Sequence, residues 1–212
     1  MDVTDMLSEL NDSGFNDSTD ARKVLMINDA LWDAAARQPW PFLETTLTLT
    51  FSGSSGVPTN LPANYRAAMS VVDVGNSRNK LGFTRLDDLD GSGTDFTQTG
   101  IPLLYYHVGS QLTLWPIPSV TANVRLRYIK KPAALTASTL SAAIEWPVEH
   151  HRVLVLGALY KLYDLEDDPE LAVRFQGHYE GRLSQMVDEV FTRQYDRPET
   201  IGIDPWFDID YD

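Results

Sequence analysis

Cysteine is absent from all 212 residues, which excludes disulfide frameworks, zinc-thiolate and iron–sulfur sites, and cysteine nucleophiles. Positive charge is scarce. Seventeen Lys and Arg stand against 30 Asp and Glu, a net charge of −13, which argues against a surface built to grip nucleic-acid backbone. Long apolar runs are missing too: the longest, Val153 to Tyr160, contains Gly157 and stops at Lys161, too short to span a bilayer. The opening MDVTDMLSEL has two Asp and a Glu where a secretion signal needs bases and an apolar run. A soluble chain with no membrane partner is expected. Nor is there a Gly-rich phosphate loop, a G-x-S-x-G elbow or a dinucleotide fingerprint. What is present is ordinary globular composition, 43% hydrophobic and 22% charged, enough for one large domain or two small ones.

Charge and periodicity divide the chain at the same places. Residues 1–43 carry 8 acids and 3 bases, 44–132 carry 6 and 8, 133–195 carry 10 and 5, and 196–212 carry 6 and 1. The middle block is rich in Thr, Val, Tyr, Gly and Pro, and the flanks in Ala, Leu, Glu and Asp. That pattern predicts an α+β fold, a helical bundle with an inserted antiparallel β domain and an extended C-terminal tail. The bundle takes its N-terminal helices from 1–43 and its long helices from 133–195; the β-rich insertion is 44–132 and the acidic, aromatic tail 196–212.

Within those blocks, a short helix over 4–10 should end at Asn11-Asp12-Ser13-Gly14. Oxygens of residues 17–20 offer caps for a helix over 18–38, whose Val24, Ile27, Leu31 and Ala34 form one face. Pro39 and Pro41 must end it, and Trp40 and Phe42 should wedge beneath that end. From Glu44 the period falls to two, with Leu47, Leu49 and Phe51 predicted to face a core. Further strands are expected at 69–74, 80–85, 102–108, 111–115 and 124–129. Tyr105 to Val108 and Gln111 to Leu114, joined across Gly109-Ser110, form the best hairpin signal. Pro147 and Pro169 sit where first helical turns accept proline, predicting helices over 147–165 and 170–194, the first apolar nearly all round. The second carries a stripe of Leu171, Phe175, Tyr179, Leu183, Met186 and Val190.

Three features invite chemistry. Asp88-Leu89-Asp90-Gly91-Ser92-Gly93-Thr94-Asp95 resembles the start of a calcium loop, but Thr99 stands where the bidentate Glu belongs and no helix pair is predicted around it. A Gly-rich acidic hairpin loop without metal is the expectation. His150 and His151 are adjacent, about 100° apart on a helix, so both cannot reach one metal; a half-buried histidine with Glu149 as partner is expected, and His107 and His178 are isolated. Among the surplus carboxylates no spacing selects an acid/base pair. The chain therefore reads as no enzyme, with no catalytic residues, no metal and no cofactor. Its shape suggests a part that assembles with copies of itself and with something else.

One order of motifs is informative. Ile27-Asn28-Asp29-Ala30-Leu31-Trp32 is followed by Ala36-Arg37-Gln38-Pro39-Trp40-Pro41-Phe42-Leu43 and a Thr-rich strand. Then come Tyr105-Tyr106, Leu112-Thr113-Leu114-Trp115-Pro116-Ile117-Pro118, Val124-Arg125-Leu126-Arg127-Tyr128 and the Trp146-Pro147 helix start. From about residue 3 to 195 this layout resembles the head-to-tail adaptor, or connector ring, proteins of tailed bacteriophages. The resemblance implies a structural virion protein of the neck, assembled in the host cytoplasm: a ring of about twelve copies joining the portal to the next tail or neck protein. DNA would pass through its lumen, without specific binding, during ejection. The helical bundle would form the ring wall and the β region would reach toward the next component. A β-rich module binding carbohydrate or calcium through its Gly-rich loops is the alternative.

The last 17 residues carry the partner expectation. Ile201, Ile203, Trp206, Phe207, Ile209 and Tyr211 are too many large apolar groups for a segment meant to stay in water. The aromatic groups are typical anchors in partner pockets, while Asp208, Asp210 and Asp212 would meet basic rims. The segment is expected to contact a neighbouring subunit or the portal.

Overall fold

Asp2 and Asp5 set the start of helix α1 (Val3–Leu10): each carboxylate accepts from the other residue's backbone amide at 2.8 Å, a reciprocal cap. The structure, a computed structural model, describes residues 1–53, 57–75 and 79–192. Residues 11–14 do not stop the chain's winding as their turn preference suggests. One wide turn (Asn11–Phe15) follows directly, Gly14 supplying a φ of +107°. Buried Phe15 holds that turn against Tyr163, ring to ring at 4.8 Å. Helix α2 (Asp20–Arg37) is capped by the Thr19 hydroxyl and stops before Pro39. Trp40 lies under its end as expected, its indole N–H donating to the Ala34 carbonyl at 2.8 Å.

The middle block then builds β1 (Glu44–Phe51), β2 (Thr59–Asn60), β3 (Tyr65–Asp73), β4 (Gly82–Phe83), a short helix α3 (Leu86–Gly91), β5 (Thr99–Gly100), β6 (Leu104–Val108), β7 (Gln111–Trp115), β8 (Ile117–Pro118) and β9 (Ala122–Lys130). One sheet has the order β1-β9-β3, antiparallel throughout; a second runs β2-β7-β6-β4. β6 and β7 form the expected hairpin, whereas the two-residue pairs β4 with β6 and β5 with β8 are parallel. Glu44 lies opposite Ile129 and Phe51 opposite Ala122, so the strand that enters the block pairs along its length with the strand that leaves it.

Helices α4 (His151–Leu165) and α5 (Pro169–Thr192) follow a single tight turn (Val148–His150). The Asp168 carboxylate accepts from the Leu171 amide at 3.1 Å with Pro169 in the first turn, as predicted. Tyr179, Leu183 and Met186 of the stripe are buried, while Phe175 and Val190 are partly so. Two apolar clusters result. The larger joins α1, α2, α4 and α5 with Trp40, Leu135, Ile144 and Trp146; the smaller lies between the sheets around Phe51, Val71, Leu112, Val124 and Leu126.

Three expectations need correction. Leu47 is 39% exposed although Leu49 and Phe51 are buried: β1 is a sheet edge, and the second sheet's cluster covers only its later residues. The strand at 80–85 shrinks to Gly82–Phe83 and a bridge at Lys80. The acidic segment after it is a helix turn rather than an open loop, because Leu86 and Leu89 share one side, Leu89 is buried, and Asp87 and Asp88 favour the helix start.

The long connector between β9 and α4 is tied to α2 by one side chain. Buried Asn28 donates to the Leu135 carbonyl at 3.0 Å and accepts from the Leu135 amide at 2.7 Å. Asn28→Ala should cost about 2 kcal/mol, because both backbone groups lose their partner inside the protein. Urea unfolding of the two proteins checks it.

Candidate assembly surface

Surface that a fold leaves uncovered is where contact with another molecule can be made. On α2 the core stripe takes Ile27, Leu31 and Ala34, which puts Trp32 about 100° away from Leu31 around the helix. Trp32 stays 42% exposed even though its indole N–H approaches the Pro132 carbonyl at 3.4 Å. It forms one wall of a groove of about 250 Å³ with Ala35, Ala36, Pro132, Arg66 and Lys131. Arg66, on β3, donates to the carbonyls of Ala35, Ala36 and Gln38. A cation thereby meets the unpaired carbonyls of the α2 C-terminus, and the sheet is fixed against the helix end. Lys131 is exposed and pairs with no carboxylate among the described residues, whereas its neighbour Lys130 is held by Glu145. Burial alone would raise the Glu145 carboxyl, but the Lys130 ammonium and the Ala133 amide outweigh it and leave it below its ordinary range.

A second groove, about 490 Å³, runs along the outer side of α4 and α5 between Arg152, Leu156, Phe175, His178 and Arg182. Its cations are partly engaged: Arg152 lies 3.5 Å from Glu9, and Arg182 donates to Gln185 at 2.8 Å. Gly177 and Gly181 on α5 face open space.

A third cleft, about 640 Å³, opens beside Asn60, Tyr65, His107 and Lys131. His107 is isolated from the other histidines among the described residues, but not from aromatic rings. Its ring lies 5.6 to 5.9 Å from those of Tyr65, Tyr105 and Phe83, and burial lowers its pKa.

Where α2 meets α5, buried Tyr179 donates to Asp33 at 2.8 Å, and Arg37 bridges Asp33 and Glu180 at the surface. Burial and the Asp33 contact hold the Tyr179 phenol far above its usual pKa. The network ties α2 to α5 and needs no substrate to explain it.

The histidine pair is also structural, with partners other than Glu149. His151 is buried, one ring nitrogen 2.6 Å from the Met1 carbonyl and the other 2.9 Å from that of Trp146; His150 faces Glu189 at 3.6 Å. Both therefore fasten the chain start, the connector and α5 to α4. Among the described residues no three His, Asp or Glu side chains gather as a metal site, and no helix is long and apolar enough to cross a membrane. Of residues 88–95 the first four belong to α3, and the Ser92 hydroxyl donates to the Leu89 carbonyl at 2.9 Å. Calorimetry with calcium should show no micromolar binding here, and Asp88→Ala should leave the heat trace unchanged.

The tail residues Ile201, Ile203, Trp206, Phe207, Asp208, Ile209, Asp210 and Tyr211 lie outside the described residues. Their point of departure is defined. The Phe191 ring, one residue before the end of α5, lies 5.8 Å from that of Trp40, in an aromatic group completed by Phe42 and Trp146. Trp32 could have been found from sequence as a large ring off the core stripe. Arg66 and Lys131 could not, because their partners are set by the fold.

Comparison with curated proteins finds no match. The family model described as SU10 adaptor protein matches residues 1–202. The chain thus belongs to the SU10 adaptor protein family and is a structural adaptor of the phage head-to-tail joint.

Proposed function

We propose that copies of this chain form a ring of about twelve that joins the portal to the next neck or tail protein. The helical parts, 1–43 and 133–195, form the ring wall, and the β block 44–132 reaches toward the neighbouring component. DNA passes through the lumen during ejection, and residues 196–212 contact a neighbouring subunit or the portal. The protein is assembled in the host cytoplasm and ends in the virion. The observation that carries this reading is the family match over residues 1–202. Physical chemistry supports it at two points. A ring closed by rotation needs two different surfaces per subunit, matched head to tail, and the grooves beside α2 and along α4 and α5 are two different surfaces left open for such contacts. A net charge of −13 favours an acidic lumen, along which DNA would slide without the counterion-release gain that holds it to basic proteins.

Negative-stain images of the purified chain with and without its portal test the proposal. Rings, alone or on the portal, are expected. Single particles with the portal present and no ring on it would overturn it.

A further inference from the structure

Three of the molecule's features are candidates for a further role: the His107 cleft, the α4–α5 groove and the groove beside Trp32. The His107 cleft has an aromatic wall but no charged group beyond Lys131 at its edge. In the α4–α5 groove Arg152 already faces a carboxylate, that of Glu9. The Trp32 groove differs from both: it is lined by Trp32, Ala35, Ala36 and Pro132, and its rim holds Lys131, which pairs with no carboxylate among the described residues, and Arg66, whose guanidinium meets backbone carbonyls. The geometry points to one occupant, the segment 201–211 of a neighbouring copy of this chain. This rests on the proposed reading of the tail as an assembly contact and gives that contact its receptor.

Chemistry and length both select the occupant. Residues 196–212 hold six acids and one base, with Trp206, Phe207, Ile209 and Tyr211 alternating with Asp208 and Asp210. An aromatic ring seated against Trp32 and Pro132 removes apolar surface from water, and the flanking carboxylates meet Lys131 and the guanidinium of Arg66. The protein is otherwise acidic, so an apolar groove with a basic rim is the complement of this segment.

Reach allows a neighbour's groove to be filled. The end of α5 sits beside its own subunit's groove: Phe191 packs on Trp40, Trp40 bonds to Ala34, and the next residue, Ala35, lines the groove. Trp206 is the fourteenth residue after Thr192, and a chain of that length extends to about 48 Å. A folded chain of this size is about 40 Å across, so the spacer matches the step from one copy to the next. Each groove filled by the next copy's tail is a head-to-tail contact that closes into a ring.

The test uses full chains and a labelled peptide of residues 196–212, read by fluorescence anisotropy at protein concentrations where chains stay separate. The peptide is expected to bind Trp206→Ala/Phe207→Ala protein and dilute wild type alike. Ala36→Glu/Lys131→Glu, at two exposed positions, should weaken it at least about tenfold, or about 1.4 kcal/mol, with the melting temperature preserved. Arg182→Glu in the other groove should leave it unchanged. No saturable binding, equal binding to the Ala36→Glu/Lys131→Glu protein, or loss with Arg182→Glu would overturn the assignment. So would wild type refusing a peptide that the tail variant accepts, since its own tail would then fill its groove. If Trp206→Ala/Phe207→Ala protein also fails to enter particles, the tail remains an assembly contact and only this receptor is wrong.

Discussion

Valine in place of Gly157 should cost the protein about 3 kcal/mol, the upper part of the usual range for overpacking a close-packed core. Gly157 lies where α4 crosses α2 and faces α5. A Cβ built there would stand 2.7 Å from the Ala30 Cβ and 3.0 Å from the Tyr179 Cε2, inside contact distance on both sides. Neither neighbour yields easily. Ala30 has no rotamer to change, and Tyr179 is held by its bond to Asp33, which Arg37 ties to Glu180. Valine adds two more carbons to that clash, so the helices must separate or the phenol must leave its carboxylate inside the protein. Helix propensity works the other way, since glycine in a helix is about 1 kcal/mol worse than alanine, but it is the smaller effect. Gly177→Ala and Gly181→Ala on α5 are the controls: nothing lies within 4 Å of either added Cβ, so both should be neutral or stabilise by up to about 1 kcal/mol. Urea unfolding of the three variants checks the whole set. Equal effects at the three glycines would mean that the α4 contact is looser than its geometry implies.

The helices were legible because their ends are written in local chemistry. Thr19 caps α2, Pro39 stops it, Asp168 and Pro169 open α5, and each of these acts within four residues of its target. Strand alternation was equally legible, but it says which way a side chain points and not whether anything covers it. Leu47 shows the difference: it alternates with Leu49 and Phe51, yet lies on an edge strand beyond the reach of the second sheet. Helix α3 was missed because Gly91, Ser92 and Gly93 dominate the local signal, while the Leu86 and Leu89 pair on its packed side spans only four residues. The histidines show the limit of local reading most plainly. Their helix was predicted, but His151 is bound by the Met1 carbonyl, 150 positions away in the chain. For the assembly surface, Trp32 stands out from the α2 stripe by position alone, whereas Arg66 and Lys131 join it only because β3 and the end of β9 pack beside the helix.

A chain ending at Arg197 should fold normally as an isolated subunit and fail to join the ring or dock to the portal. The first half of that expectation follows from the cores. Among the described residues both apolar clusters draw on nothing beyond Phe191, and Trp40, Phe42, Trp146 and Phe191 already pack on one another. The second half follows from the composition of what is removed. The deleted segment carries Ile201, Ile203, Trp206, Phe207, Ile209 and Tyr211, more apolar surface than a solvated terminus needs, and aromatic anchors of this kind carry most of the energy of the interfaces that use them. Loss of two or three such anchors, each worth about 2 kcal/mol or more, lowers an association constant by several powers of ten. That is enough to prevent assembly at cellular concentrations. Complementation reads the outcome: particles produced with the truncated protein should lack it at the neck, while its melting temperature stays within a few degrees of the full chain. Normal incorporation would show that the tail is dispensable for assembly. A large drop in melting temperature would instead show that the tail packs on its own subunit, where its loss exposes core surface rather than an interface.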